Sequence, residues 1–86
     1  MELYFTEQFE AAYDKLTADE KRGVLKALNL LGDNPKYSSL YVKKMEGCRN
    51  IWEARSSKRV RMTFEMKGNV ILLRNVGEHD RVLKNP

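Results

Sequence analysis

The residues best equipped for chemistry in this 86-residue chain stand in two places. Near the C-terminal end, Asn75-Val76-Gly77-Glu78-His79-Asp80 holds the only histidine, beside a carboxylate. Further back, Glu53, Arg55, Arg59 and Arg61 fall on alternate residues either side of Ser56-Ser57-Lys58. An unperturbed histidine titrates at about 6.5 and can exchange a proton near neutral pH. Guanidinium groups match phosphate oxygens in a planar fork. Together they suit phosphodiester cleavage by attack of a 2′-OH on its own 3′ phosphate. That step needs a base for the hydroxyl, positive charge for the phosphorane, and an acid for the departing 5′ oxygen.

The arginines answer the second need and His79 the third. With one histidine in the chain, a two-histidine mechanism is excluded. The base must be a carboxylate, a lysine or a group of a bound partner. Glu53 is the first choice, because it shares a face with Arg55 and flanks Arg61; Glu46 is the second. Plainer roles compete. Glu53 reads slightly better as an ion-pair partner of Arg55 or Arg61. Asp80 reads better as a cap of the terminal turn than as a group orienting His79. His79 has no second ligand at metal-binding spacing, so no metal or cofactor site is expected.

Composition sets wider bounds. Charged residues make up 33% and apolar ones 42%, an ordinary balance for one globular domain, 1–86. The net charge of +4 and pI near 9.3 suit a polyanion or an acidic protein as partner. No apolar run approaches a membrane span, and the acidic start MELYFTEQFE is unlike a secretory signal. The single Cys48 permits no internal disulfide, which fits a reducing cytoplasm; it reads as a structural or incidental thiol rather than a nucleophile.

The elements that must position these groups are legible from periodicity. Glu2 to Phe5 reads as a short strand and Thr6 as the N-cap of a helix with Phe9, Ala12, Tyr13 and Leu16 on one face. Thr17 and Glu20 form a capping-box pattern, so a second helix starts at Ala18. Val24, Leu25, Leu28 and Leu31 carry its apolar stripe, and Gly32-Asp33-Asn34-Pro35 ends it. Period-two patterns follow at Ile51–Arg55 and Arg59–Met66, then an apolar strand from Val70 to Val76 that should be central. Arg81 to Lys84 can add a last helical turn. The order predicts an α+β fold: a small, mostly antiparallel twisted sheet with an N-terminal strand and a helical hairpin packed on one face.

If the helices cover one sheet face, Trp52, Val60, Met62, Phe64 and Met66 point at them. Alternation then sends Glu53, Arg55, Arg59 and Arg61 to the other face. Arg74, with Lys43 and Lys44, extends that positive surface. Outward arginines also serve simply to keep a half-exposed sheet soluble. Trp52 reads as core; Tyr37 and Tyr41 read as packing against the hairpin, with base stacking as the alternative.

The ordered fragments Met45-Glu46-Gly47, Ile51-Trp52-Glu53-Ala54-Arg55, Val60-Arg61-Met62-Thr63-Phe64 and Val76-Gly77-Glu78-His79-Asp80 resemble the RelE/ParE toxin superfamily. Its members read roughly L-x-G, W-E-x-R, Y-R-I-x-F and G-x-H-D after a strand and a helical hairpin, so the resemblance spans the chain. It implies the toxin of a type II toxin–antitoxin pair, a ribosome-dependent mRNA endoribonuclease that blocks translation. ParE-like members instead poison DNA gyrase by binding, and a catalytically silent RNA- or protein-binding member is the third case. By motif position, Arg55 resembles the basic strand position and Arg61 the phosphate-contacting arginine. His79 resembles the general acid of the YoeB-like and YafQ-like branches. Lys43 and Lys44, with Arg59 and Arg74, sit where RNA-contacting side chains are expected. No tyrosine follows Tyr41, unlike the branch that uses a C-terminal tyrosine. The partners implied are a cognate antitoxin laid over the basic face or the hairpin, and the ribosome with its mRNA. Self-association or a hetero-oligomer with the antitoxin stays open.

Overall fold

The structure, a computed structural model, describes residues 1–47 and 50–86; Cys48, and with it the expectation for its thiol, lies outside them. The described elements run β1 (Glu2–Phe5), α1 (Glu7–Asp14), α2 (Ala18–Asp33), β2 (Lys43–Lys44), β3 (Trp52–Arg55), β4 (Val60–Lys67), β5 (Val70–Glu78) and α3 (His79–Lys84), with a 3₁₀ turn at Ser38–Leu40. The five strands form one sheet in the order β1-β5-β4-β3-β2. Only β1 on β5 is parallel; the other pairs are antiparallel. The α+β architecture is the expected one.

Both expected caps are present. Thr6 accepts from the Phe9 amide at 3.1 Å. Thr17 and Glu20 exchange side-chain to backbone bonds at 3.2 and 2.9 Å, satisfying two amides that α2 would leave without partners. The hairpin buries Phe9, Val24, Leu28 and Leu31 against Met62, Phe64, Ile71, Leu73 and Val76 of the sheet. These side chains are nearly all inaccessible to water, and burying each stabilises the fold by about 1.5–3 kcal/mol.

Three expectations shift. Leu25 belongs to the stripe on paper but is 51% exposed; Ala27 is buried with Val24, Leu28 and Leu31 instead. The segment before β3 contributes a two-residue edge strand, β2, that periodicity did not reveal. And β5 continues past Val76 to Glu78, with α3 beginning at His79 rather than Arg81.

A bulge in the β4–β5 ladder matters for the second sheet face. Thr63 pairs with Asn75, but Phe64 pairs with Leu73, leaving Arg74 as the extra residue on β5. The slip lets Ile71 and Leu73 below it, and Val76 above it, all reach the helical side. On the opposite side α3 and the residues after it lie over β4 and β5. Val82 is buried there, Thr63 donates to the Pro86 carbonyl at 2.9 Å, and Asn75 donates to the Asn85 carbonyl at 2.8 Å. The face opposite the hairpin is therefore only half open.

Candidate active site

The open half is formed by β2, β3 and β4. Strand register builds it in two rows. Lys43, Glu53, Thr63 and Asn75 stand side by side across four strands, and Arg55, Arg61 and Gly77 form the next row. Alternation puts both rows on the side away from the hairpin. Thr63, Asn75 and Gly77 are covered by α3 and its tail. Lys43, Glu53, Arg55 and Arg61 are left to line a cleft of about 410 Å³, closed on one flank by Tyr41 and Val42 and on the other by His79.

Glu53 is buried at the floor, 3.9 Å from Arg61 Nε and 4.0 Å from Lys43 Nζ. Of the two alternative ion-pair partners expected, Arg55 or Arg61, the structure shows Arg61, and Lys43 is a further one. Arg61 is anchored from behind, donating through Nη1 to the carbonyls of Ser57 and Lys58 at 2.8 Å each. Its side chain is 11% exposed. Burial, and after it the neighbouring Arg55 cation, lowers the Arg61 pKa from the ordinary guanidinium value, while Glu53 opposes them. An arginine stays charged through such a shift.

Arg55 reaches the other way. Its guanidinium lies 4.4 Å from the centre of the Tyr41 ring. Its Nε is shut off from water, without a hydrogen-bond partner among the described residues. A buried donor left open costs free energy.

His79 arrives by a different route. Its amide donates to the Arg59 carbonyl at 2.9 Å, which ties the start of α3 to the β3–β4 turn. The helix cap is Glu78, whose carboxylate accepts from the Asp80 amide at 3.3 Å. Asp80, favoured above as the cap, instead places Oδ1 3.3 Å from His79 Nδ1. The imidazole is 40% exposed at the cleft rim.

The fold does not bring every expected residue here. Lys44 pairs with Trp52 and so stands on the hairpin side of the sheet. Arg74, at the bulge, bonds Glu65 and the Pro86 carbonyl beyond α3. Arg59 is exposed beside the turn and contributes its carbonyl to the His79 support, not its side chain to the cleft. Glu46, the second candidate base, is exposed and outside the cleft lining. Tyr41 was expected to pack on the hairpin; it is 61% exposed and walls the cleft. The only sequence sign of that role was its place between basic residues.

Among the described residues no cluster of three or more His, Cys, Asp or Glu could hold a metal ion, and no helix is long and apolar enough to cross a membrane. The arrangement can bind a phosphate between Arg55 and Arg61, offer a carboxylate beneath it and present an imidazole at its edge.

No protein-family model matches the chain, and no curated protein matches it in sequence. Solved structures do match in fold. YafQ from E. coli superimposes with a TM-score of 0.79 at 10% identity, over 94% of this chain and 96% of that one. A YoeB/ParE toxin from Agrobacterium tumefaciens gives 0.77 at 14% identity, over 92% and 99%. The archaeal RelE–RelB complex from Pyrococcus horikoshii gives 0.73 at 21% identity, over 93% and 96%. The fold of this protein is that of the RelE, YafQ and YoeB toxins.

Proposed function

We propose that this protein is the toxin of a toxin–antitoxin pair and that it cleaves mRNA within the ribosome. One observation carries the reading: Glu53, Arg55, Arg61 and His79, drawn from two neighbouring strands and the start of a helix, converge on one cleft. The shared fold supports it, since the matching structures include toxins held by antitoxins, among them RelBE and DinJ–YafQ from E. coli.

In the mechanism, Arg55 and Arg61 grip the scissile phosphate and stabilise the charge that grows on its oxygens. Removing one such donor typically costs about 10²–10³ in rate. Glu53 takes the proton from the 2′-OH as that oxygen bonds to phosphorus, and the bond to the 5′ oxygen breaks. His79 gives a proton to the departing 5′ oxygen, with Asp80 Oδ1 3.3 Å from its Nδ1 orienting the ring. Lys43 balances the carboxylate. Positioning of a flexible strand over the cleft falls to the ribosome. The setting is the cytoplasm, and the antitoxin covers the basic cleft or the hairpin in the resting cell.

The test is primer extension on a reporter mRNA in a translating extract, with wild-type protein and His79→Ala. Cuts inside ribosome-occupied codons that vanish in the variant are expected. Intact mRNA with unhindered translation would end the nuclease assignment. A DNA-damage response on expression would then point to gyrase.

A further inference from the structure

Tyr41 belongs to two clefts at once. On one side it walls the charged cleft, its ring against Arg55. On the other it opens a second, mainly apolar cleft of about 550 Å³, formed with Pro35, Tyr37, Val42, Trp52 and Met66. Three aromatic rings in one recess beside a cationic one is an unusual use of surface for a chain with 9% aromatic residues.

The recess is pre-arranged. Tyr37 donates its hydroxyl to Asp33 at 2.6 Å, which sets the ring from the end of α2. Tyr41 sits in the left-handed region, φ 49° and ψ 45°, a conformation uncommon for a bulky residue and retained only where the surroundings impose it. That conformation holds the ring out at the sheet edge, where one flank meets the charged side and the other the apolar side. Trp52 is half buried, packed on the core and open to the recess.

Resting on the reading that the charged cleft takes RNA, we infer that the apolar cleft is a nucleobase subsite. The phosphate sits with Arg55 and Arg61, the strand crosses Tyr41, and the adjacent base stacks among Tyr37, Tyr41 and Trp52. Stacking tolerates any base but strengthens with ring area, so the subsite favours purines at that position. Lys36, also on the rim, meets the next phosphate.

Trp52 is the only tryptophan, so its emission reports entry of a base. The probe is a 2′-O-methyl hexanucleotide, which cannot be cut by 2′-OH attack, followed by anisotropy and by Trp52 fluorescence. An abasic hexamer of equal charge is the control. The base-bearing strand should quench Trp52 and the abasic one should not. Tyr41→Asn, chosen because Asn tolerates the left-handed backbone, should bind about tenfold more weakly, and Tyr41→Phe about as well as wild type. Equal binding of the two probes, or Tyr41→Asn binding unchanged with Trp52 emission unmoved, would overturn the subsite. The two readings fail separately. Quenching by the base-bearing strand, without mRNA cuts in the extract, removes the nuclease and keeps the subsite. Cuts with unchanged Tyr41→Asn binding do the reverse.

Discussion

Arg55 and Arg61 stand directly opposite one another in the β3–β4 ladder. Like charges at paired positions destabilise a sheet, and here one of the two is also largely buried. Under the proposed function, the phosphate they grip offsets that repulsion.

That makes the two arginines distinguishable. Arg55→Met removes repulsion and an unpartnered donor, so stability should hold or rise by about 0.5 kcal/mol while cleavage falls about 10²-fold. Arg61→Ala also breaks the bonds to Ser57 and Lys58 that close the turn, so it should lose about 1 kcal/mol along with activity. Thermal melts at low salt, read beside the extract assay, decide the matter. Equal stability loss in both variants would contradict the picture of a repelling pair.

Glu53 is the carboxylate between two cations. Glu53→Gln keeps shape and removes the charge. Cleavage should fall about 10²–10⁴-fold if it is the base, and the melting temperature should drop more at low salt than at high salt. A variant with full activity and a lower melting temperature would reduce Glu53 to an ion-pair partner.

Gly77 carries the argument for His79. Its φ of +153° is one that residues with a side chain seldom adopt, and a Cβ there would collide with the Arg81 guanidinium lying over it. Gly77→Ala should therefore push Arg81 off β5, where it now donates to the Val76 carbonyl at 3.3 Å, and cost about 1–3 kcal/mol. Because His79 opens the same helix, activity should fall too. Adding Arg81→Ala should relieve the collision but not the backbone strain, so rescue should be partial. Full rescue in a denaturant titration would rule out the backbone cost.

The bond from Tyr37 to Asp33 has a pH signature. That hydrogen bond, and the Asp33 charge after it, raises the Tyr37 pKa above the ordinary value of 10.0. A group raised in the folded state lends stability that is intact below its unfolded pKa and is lost as pH climbs through the folded one. The window is thus above about pH 10. Tyr37→Phe should abolish the last tyrosine step in an ultraviolet titration and flatten the alkaline fall in stability. An unchanged titration curve would refute the pairing.

How much of this was open to inspection in the bare sequence differs by element. The caps at Thr6 and Thr17, the stripe at Val24, Leu28 and Leu31, and the alternation of Val60, Met62 and Phe64 are local signals, set by residues three or four apart or two apart, and they came out as read, with Leu25 the exception. Alternation likewise sent Glu53, Arg55 and Arg61 to one face, since period two leaves no other choice. The sequence by itself thus determined the element types, the α+β order and the core of the charged row.

Tertiary structure decided the rest. Whether Lys43 or Lys44 joins the row depends on the register of a two-residue edge strand, where a slip of one residue exchanges them. Arg74 left the surface because a bulge moved it, and a bulge is a property of a strand pair rather than of either strand. Tyr41 became a wall of two clefts through one left-handed residue. His79 reached the rim because Glu78, not Asp80, caps α3 and the Arg59 carbonyl holds its amide. The register, the bulge and the Arg59 support of His79 join residues far apart in the chain, and no local pattern encodes them.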